Sequence, residues 1–250
     1  MVSDDLPYSK GRIDRAGRAL RRDQAGDDAP LSSSERRVEL AVVEDFRVLH
    51  RTPLLTARMG LRSCIDREGL EAVELTQRLK RMPTILDKLR RLPSMKLSAM
   101  QDIGGCRAVF STQSEVERVL RRFTRNSLKR NKAEDTVRDY VTNPRSSGYR
   151  GTHVWTRYHD RRIEVQLRTE LQHEWAKLIE DLVVVTGTDY KSGDGPEVVH
   201  EWLRRLSELY ALIETGRPPG KALDREYDAL QRAARAQLRS DARQRIRSRG

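Results

Sequence analysis

Apolar positions recur at helical spacing towards both ends of the chain and alternate with polar ones in its middle. Residues 8–22 (YSKGRIDRAGRALRR) read as a short basic helix, and residues 23–34, polar with Gly and Pro, as a linker. Ser32, three residues before Glu35, offers a capping box. The next helix carries Val38, Val42, Phe46 and Leu49 on one stripe and ends before Pro53. A second helix runs from about Leu54 to Glu68, with Gly69 as its C-cap. The segment AVELTQRLKRMPTILDKLRRL is expected to be helix, broken by Pro83 and resumed at Thr84.

Residues 101–110 (QDIGGCRAVF) read as a strand, 114–125 as a helix and 137–142 as a short strand. Residues 152–158 and 162–168 form a hairpin around His159-Asp160-Arg161. In its second strand Ile163, Val165 and Leu167 point one way and Glu164, Gln166 and Arg168 the other, because strand side chains alternate with period two. Glu170 to Val185 is mostly helix. After the loop TGTDYKSGDGP, helices occupy about 197–215 and 221–247, the latter with a stripe of Leu223, Tyr227, Leu230, Ala234 and Leu238. The Arg-dense final residues are expected to fray. Helices, then a mixed sheet with helices on it, then helices again define an α/β or α+β domain over residues 35–215. A basic helix and linker (1–34) precede it and an Arg-rich helical segment (216–250) follows it.

A chain of 250 residues can bury one full core plus accessory helices. Its net charge of +12, with 34% charged residues, ranks a polyanionic substrate or partner above mere solvation of helices. The two cysteines, Cys64 and Cys106, sit in apolar surroundings without a pairing pattern and read as small core residues, which suits a reducing cytoplasm. The N-terminus MVSDDLPYSK has no apolar run behind it, so no signal peptide is expected. Apolar runs such as Val183 to Val185 are far too short to span a bilayer. His50, His153, His159, His173 and His200 form no metal-ligand pattern.

Four clusters carry chemistry. Arg78, Lys80, Lys88 and Arg91, spread over the helix–Pro–helix segment, can surround a triphosphate, although a basic helix face is usually only solvated. Asp102 stands at a strand mouth before Gly104, Gly105 and Arg107. A carboxylate there is a natural Mg²⁺ ligand, and a turn-capping Asp explains it equally well. Strict alternation sets Asp102 and Arg107 on opposite faces, so either the Gly-Gly pair makes a bulge or Asp102 lies in the loop before the strand. Gly148 and Gly151 flank Tyr149 and Arg150, with His153 close behind. This reads as a flexible loop that stacks on something flat and anionic, or simply as a turn with an exposed Tyr. Glu164, Gln166 and Arg168 put an acid, an amide and a guanidinium in a row, on a binding face or on a solvated one.

Taken together and in this order, QRLKRMPTILDKL, QDIGGCRAVF, DYVTNPRSSGYRGTH and EVQLRTELQHEWA resemble the synthetase domain of the RelA/SpoT family over roughly residues 75–192. The resemblance implies a nucleotidyltransferase-like mixed β-sheet flanked by helices. It also implies transfer of the β,γ-pyrophosphate of ATP to a ribose 3′-hydroxyl, with Mg²⁺ and release of AMP. Arg78 and Arg107 would then clasp the adenine. Lys80, Lys88 and Arg91 would hold the triphosphate, with Thr84 where the family often has Ser. Asp102 would bind Mg²⁺, and Glu164 would bind Mg²⁺ or accept the proton of the attacking hydroxyl. Tyr149 would stack on the acceptor base, and Arg150, His153, Gln166, Arg168 and His173 would line the acceptor pocket.

The chain is too short for the hydrolase domain of the long bifunctional members, and His159-Asp160 is better explained as turn chemistry. YSKGRIDRAGRAL, DFRVLHRTPL, QHEWA and DYKSGDGPEVVHEWLRRLSELYALIE resemble the toxic small alarmone synthetases, several of which modify the 3′-CCA end of tRNA. Glu180-Asp181 stands where many alarmone makers have Glu-His. A tRNA acceptor suits the basic composition, with Lys10, Arg12, Arg15, Arg18, Arg21, Arg22, Arg121, Arg122, Lys129 and Arg130 as a phosphate-contacting patch or as solvated helix charges. The resemblance implies a cytoplasmic, monomeric toxin neutralised by an antitoxin protein or by its own C-terminal segment, with a part in anti-phage defence. The alternatives are an alarmone synthetase making (p)ppGpp or (p)ppApp from a free purine nucleotide, and a catalytically silent nucleic-acid-binding relative.

Overall fold

In the computed structural model the Ser9 side chain caps the first helix, accepting from the Arg12 amide. The structure describes residues 7–26, 30–131, 135–190 and 193–247, and side chains as far as 245. Parts of the expected linker, of the loop before residue 197 and of the Arg-dense terminus therefore lie outside the described residues.

The helix α1, Lys10–Ala25, ends at Gly26, whose φ of 72° is left-handed. The capping box forms as expected: Ser32 and Glu35 satisfy each other's amides at the start of α2, Ser33–Val48. Its buried stripe is Val42, Val43 and Phe46, whereas Val38, expected on that stripe, is 56% exposed. The helix α3 spans Arg51–Arg67, with Gly69 left-handed just beyond it.

The helix–Pro–helix expectation fails in its first half. Residues before Pro83 form a strand, β1 (Glu74–Leu79), and α4 runs Met82–Arg91 with Pro83 in its first turn. Pro is at home there, since its missing N–H has no intrahelical partner in any case. A 3-10 turn (Leu97–Ala99) leads to β2, Gly104–Phe110. Then follow α5 (Gln113–Asn131), β3 (Thr136–Asp139), β4 (Thr152–Tyr158), β5 (Arg161–Thr169), α6 (Glu170–Thr186), α7 (Glu197–Glu214) and α8 (Lys221–Arg247). The five strands form one mixed sheet in the order β1-β2-β5-β4-β3, flanked by helices.

The β4–β5 hairpin turns on His159 and Asp160, with φ of 45° and 58°. Positive φ at both central residues is the two-residue turn whose twist matches a hairpin. It fixes the register: Tyr158 pairs with Arg161, Arg157 with Arg162, and Trp155 with Glu164. Ile163, Val165 and Leu167 are fully buried, as their alternation required.

Two compact units divide the chain. The first comprises Met1–Ala108, Val119–Val137 and Val154–Gln166. In its core, Ile13, Ala16 and Leu20 of α1 join Val42, Val43 and Phe46 of α2, Ile85 and Leu89 of α4, and Leu97, Met100 and Ile103. Gly17 is needed where α1 crosses the 3-10 turn, since a Cβ there would lie 3.0 Å from that of Leu97. Cys64 and Cys106 are both buried, and burial pushes the Cys106 thiol up to about 12.

The second unit comprises Val109–Arg118, Arg138–His153 and Leu167–Gly250. Its core joins Trp175, Ala176 and Ile179 of α6 to Val199, Trp202, Leu203 and Leu206 of α7, with Tyr190 and with Ala234 of α8. The expected α8 stripe packs here through Tyr227, Leu230, Ala234 and Leu238.

Candidate active site

In the first unit, Asp102 lies two residues before β2, which settles its placement in favour of the loop and not a Gly-Gly bulge. Nζ of Lys80 stands 3.0 Å from its Oδ2, and Nζ of Lys88 2.8 Å from its Oδ1. Lys80 is delivered by β1, whose pairing continues through its N–H to the Ile103 carbonyl at 2.8 Å. Lys88 is delivered by α4. Burial works to raise the Asp102 pKa, but the two ammonium groups outweigh it and hold the carboxylate below its ordinary value.

Along α4, Thr84, Lys88 and Arg91 share one face by their spacing of four and three, opposite buried Ile85 and Leu89. Thr84 sits in the first turn, at the helix end whose amides favour an anion. Asp87 accepts from both Arg90 and Arg91 at 2.9 Å. Burial would raise the Asp87 pKa, and the two guanidinium groups lower it overall.

Arg107 on β2 bonds Glu74 of β1 at 2.6 Å, a partner that nothing in the sequence signalled. With Lys80 bonded to Ile103 at the other end, this pairing runs β1 antiparallel to β2 and puts Arg78 on the Glu74 face by alternation. Arg78 is exposed and lines a cleft with Arg51, Leu54, Leu55 and Gln77. On β5 the Glu164 carboxylate is 9% exposed and accepts from the Gln166 amide at 2.8 Å. No group of three His, Cys, Asp or Glu able to hold a metal ion occurs among the described residues. Single carboxylates such as Asp102 and Glu164 suit Mg²⁺, which takes its remaining ligands from water and phosphate oxygens.

In the second unit, the Tyr149 hydroxyl lies 2.5 Å from Nε2 of His153 and accepts from Nη2 of Arg168 at 2.9 Å. Tyr140 packs edge-on against both Tyr149 and His153, at centroid distances of 5.8 and 5.3 Å. The Arg145 guanidinium stands 4.4 Å above the Tyr140 ring. Tyr140 and Arg145 were not singled out from the sequence, although both lie in the DYVTNPRSSGYRGTH motif.

The loop is pinned, contrary to the flexible reading. Gly148, with φ of 91°, fits so closely that a Cβ would come within 3.1 Å of the Arg204 Cα. Its carbonyl accepts from Ser207 Oγ at 2.6 Å. Arg150 does not join the aromatic group: its guanidinium is buried 2.6 Å from Glu214 of α7, which also accepts from Thr169 and Gln172. His173 lies half-buried in the first turn of α6.

The basic patch divides. Arg12 pairs with Glu39, Arg122 with Glu68, Arg21 bonds the Pro93 carbonyl, and Arg130 stacks 3.8 Å over Tyr158. Lys10, Arg15, Arg18 and Arg22 remain exposed on α1 and carry no ion pair among the described residues.

Comparison with known proteins identifies the family. Residues 77–184 match the family described as "Region found in RelA / SpoT proteins". The chain is 32% identical to an uncharacterized Mycobacterium tuberculosis protein, Rv1366, over 83% of this chain and 71% of that one. It is 31% identical to the GTP pyrophosphokinase YjbM of Bacillus subtilis, over 60% of this chain and 71% of that one. The crystal structure of small alarmone synthetase 1 from Bacillus subtilis, bound to its product pppGpp, superposes with a TM-score of 0.56 at 25% identity, covering 69% of this chain and 93% of that one. The chain belongs to the RelA/SpoT synthetase family. It is a pyrophosphokinase of the RelA/SpoT type. No helix among the described residues is long and apolar enough to cross a membrane.

Proposed function

We propose that the chain moves the β,γ-pyrophosphate of ATP to the ribose 3′-hydroxyl at the 3′-CCA end of tRNA, releasing AMP and halting translation. The observation that carries the donor half is Asp102 held between Lys80, which follows β1, and Lys88 of α4. Such a group positions and neutralises a triphosphate, which is most of what phosphoryl-type transfer requires. Lys80, Thr84, Lys88 and Arg91 hold the phosphates, and Arg78 and Arg107 clasp the adenine. Mg²⁺, held by Asp102 with Glu164, would neutralise charge on the transferred group. Glu164 accepts the proton of the attacking hydroxyl.

On the acceptor side, Tyr149 stacks on the terminal base, its ring fixed through His153 and Arg168. Gln166 of the first unit and His173 of the second are further candidate acceptor contacts, and Arg150 ties the loop to Glu214. The exposed cations of α1 and the net charge of +12 favour a nucleic-acid acceptor over a free nucleotide. In this reading the protein is a cytoplasmic, monomeric toxin held in check by an antitoxin protein and used against phage. A second reading, synthesis of an alarmone from a free purine nucleotide, is supported by the likeness to YjbM and to the pppGpp-bound synthetase.

ATP labelled at the γ-phosphate, incubated with Mg²⁺ and either bulk tRNA or GDP and GTP, separates the two. Label on tRNA supports the first reading, and label on nucleotides alone supports the second. Glu164→Gln should keep the fold and lose roughly a hundredfold or more in transfer. A fully active variant would remove Glu164 from the chemistry.

A further inference from the structure

We propose that Arg157 and Arg162, with Trp155, form an anion subsite next to Glu164 that takes a phosphate ester of the acceptor. The proposal rests on the pyrophosphokinase reading and adds a contact to it. The hairpin turn at His159-Asp160 sets Arg157 directly across from Arg162, and alternation puts Arg162 on the same face as Glu164, one pleat away. Trp155 lies across from Glu164 itself.

Like charges directly opposite one another in a hairpin are destabilising. Here neither arginine has an ion pair or hydrogen bond among the described residues to relieve it. Such a pair is suited to an anion placed between them. The two arginines and Trp155 border a cavity of about 180 Å³ together with Gln101, Asn131 and Asp135. Asp135 also borders it, but its carboxylate turns to the Ser127 hydroxyl, with Oδ1 accepting at 2.7 Å and Oδ2 shielded from solvent. The cavity therefore offers two cations and an aromatic face. Inorganic phosphate would satisfy only the cations, whereas the phosphate ester of a nucleotide also brings a base to the Trp155 ring. That chemistry has two sources, the phosphodiester of a nucleic acid and the 5′-phosphate of a free nucleotide.

The test compares the full chain with Arg157→Gln/Arg162→Gln in two binding assays without ATP. One follows the fluorescence anisotropy of a labelled RNA hexamer ending in CCA, and the other measures GDP binding by calorimetry. A loss of about tenfold or more for the hexamer, with a salt slope shallower by roughly one to two, assigns the site to a phosphodiester. An equal loss for GDP alone assigns it to a free nucleotide. Unchanged affinity for both overturns the proposal. The melting temperature at low salt should hold or rise as the repulsion is removed, and a fall would mean that the pair acts within the fold, which overturns it too. Because binding is read without turnover, failure here is distinct from failure of the pyrophosphokinase reading, which would show as wild-type protein that transfers no label.

Discussion

Nζ of Lys88 lies 2.8 Å from Oδ1 of Asp102, and Lys80 completes the clasp from the other side. Under the proposed function, the carboxylate that would meet Mg²⁺ is thus already paired with the cations that would meet phosphate, and ATP binding would exchange these partners. Lys88→Ala is expected to lower kcat by about 10²–10³, the usual cost of deleting one charge-stabilising group, with the fold intact by circular dichroism. The Asp102 pKa is depressed in the folded state. Its contribution to stability is therefore present above the unfolded value, about 3.9, and is lost as pH falls through the lower folded value. Asp102→Asn should make acid unfolding less steep below about pH 4, read by denaturant melts at several pH values.

Removing only the Tyr149 hydroxyl separates anchoring from stacking. Tyr149→Phe keeps the ring but takes a partner from His153 and Arg168, both buried. A cost of about 1–3 kcal/mol is expected, or roughly 2–4 °C of melting temperature for each kcal/mol in a chain of this size. Tyr149→Ala should in addition raise the acceptor KM while leaving the ATP KM in place. Equal effects on both substrates would detach Tyr149 from the acceptor.

Arg150 and Glu214 form a buried ion pair 64 positions apart in sequence. Arg150→Ala alone should destabilise the protein by about 3–5 kcal/mol, because it strands a buried carboxylate. The double change Arg150→Met/Glu214→Leu should cost less than either single truncation. If Arg150→Ala melts like wild type and only weakens acceptor binding, the side chain faces the acceptor and not α7.

His50 provides a pH signature. Burial depresses its pKa to about 4, against an ordinary 6.5, with a neighbouring Arg161 acting in the same direction and its bond to the Phe46 carbonyl opposing them. The folded state therefore resists the proton. Stability from this group is complete above about pH 6.5 and declines as pH falls towards 4. His50→Phe should flatten that decline in denaturant titrations, even where it shifts overall stability.

The hairpin was legible because its period-two pattern and its turn are both local. The cations of residues 78–91 stand out in the sequence as candidates, but their mounting does not. Residues 74–79 carry no clean alternation, and they become a strand only through pairing with β2, a partner some thirty residues away. That pairing is what brings Lys80 to Asp102 and Glu74 to Arg107. Glu214 escaped notice for the same reason. It sits in an ordinary amphipathic helix, and only packing sets it against Arg150. The sequence marks Tyr149 as a candidate platform, while the fixation of its loop and hydroxyl by Ser207, His153 and Arg168 depends on contacts that no short window of sequence contains.

The basic N-terminal helix shares its core with α4, through Ile13, Ala16 and Leu20 against Ile85 and Leu89. Deleting it would withdraw the backing of the helix that carries Thr84, Lys88 and Arg91. An inactive N-terminal truncation would thus mimic lost RNA affinity while reporting the collapse of the helix proposed to hold ATP. Charge reversal at Arg15, Arg18 and Arg22, which leaves Ile13, Ala16 and Leu20 in place, keeps the electrostatic question apart from the architectural one.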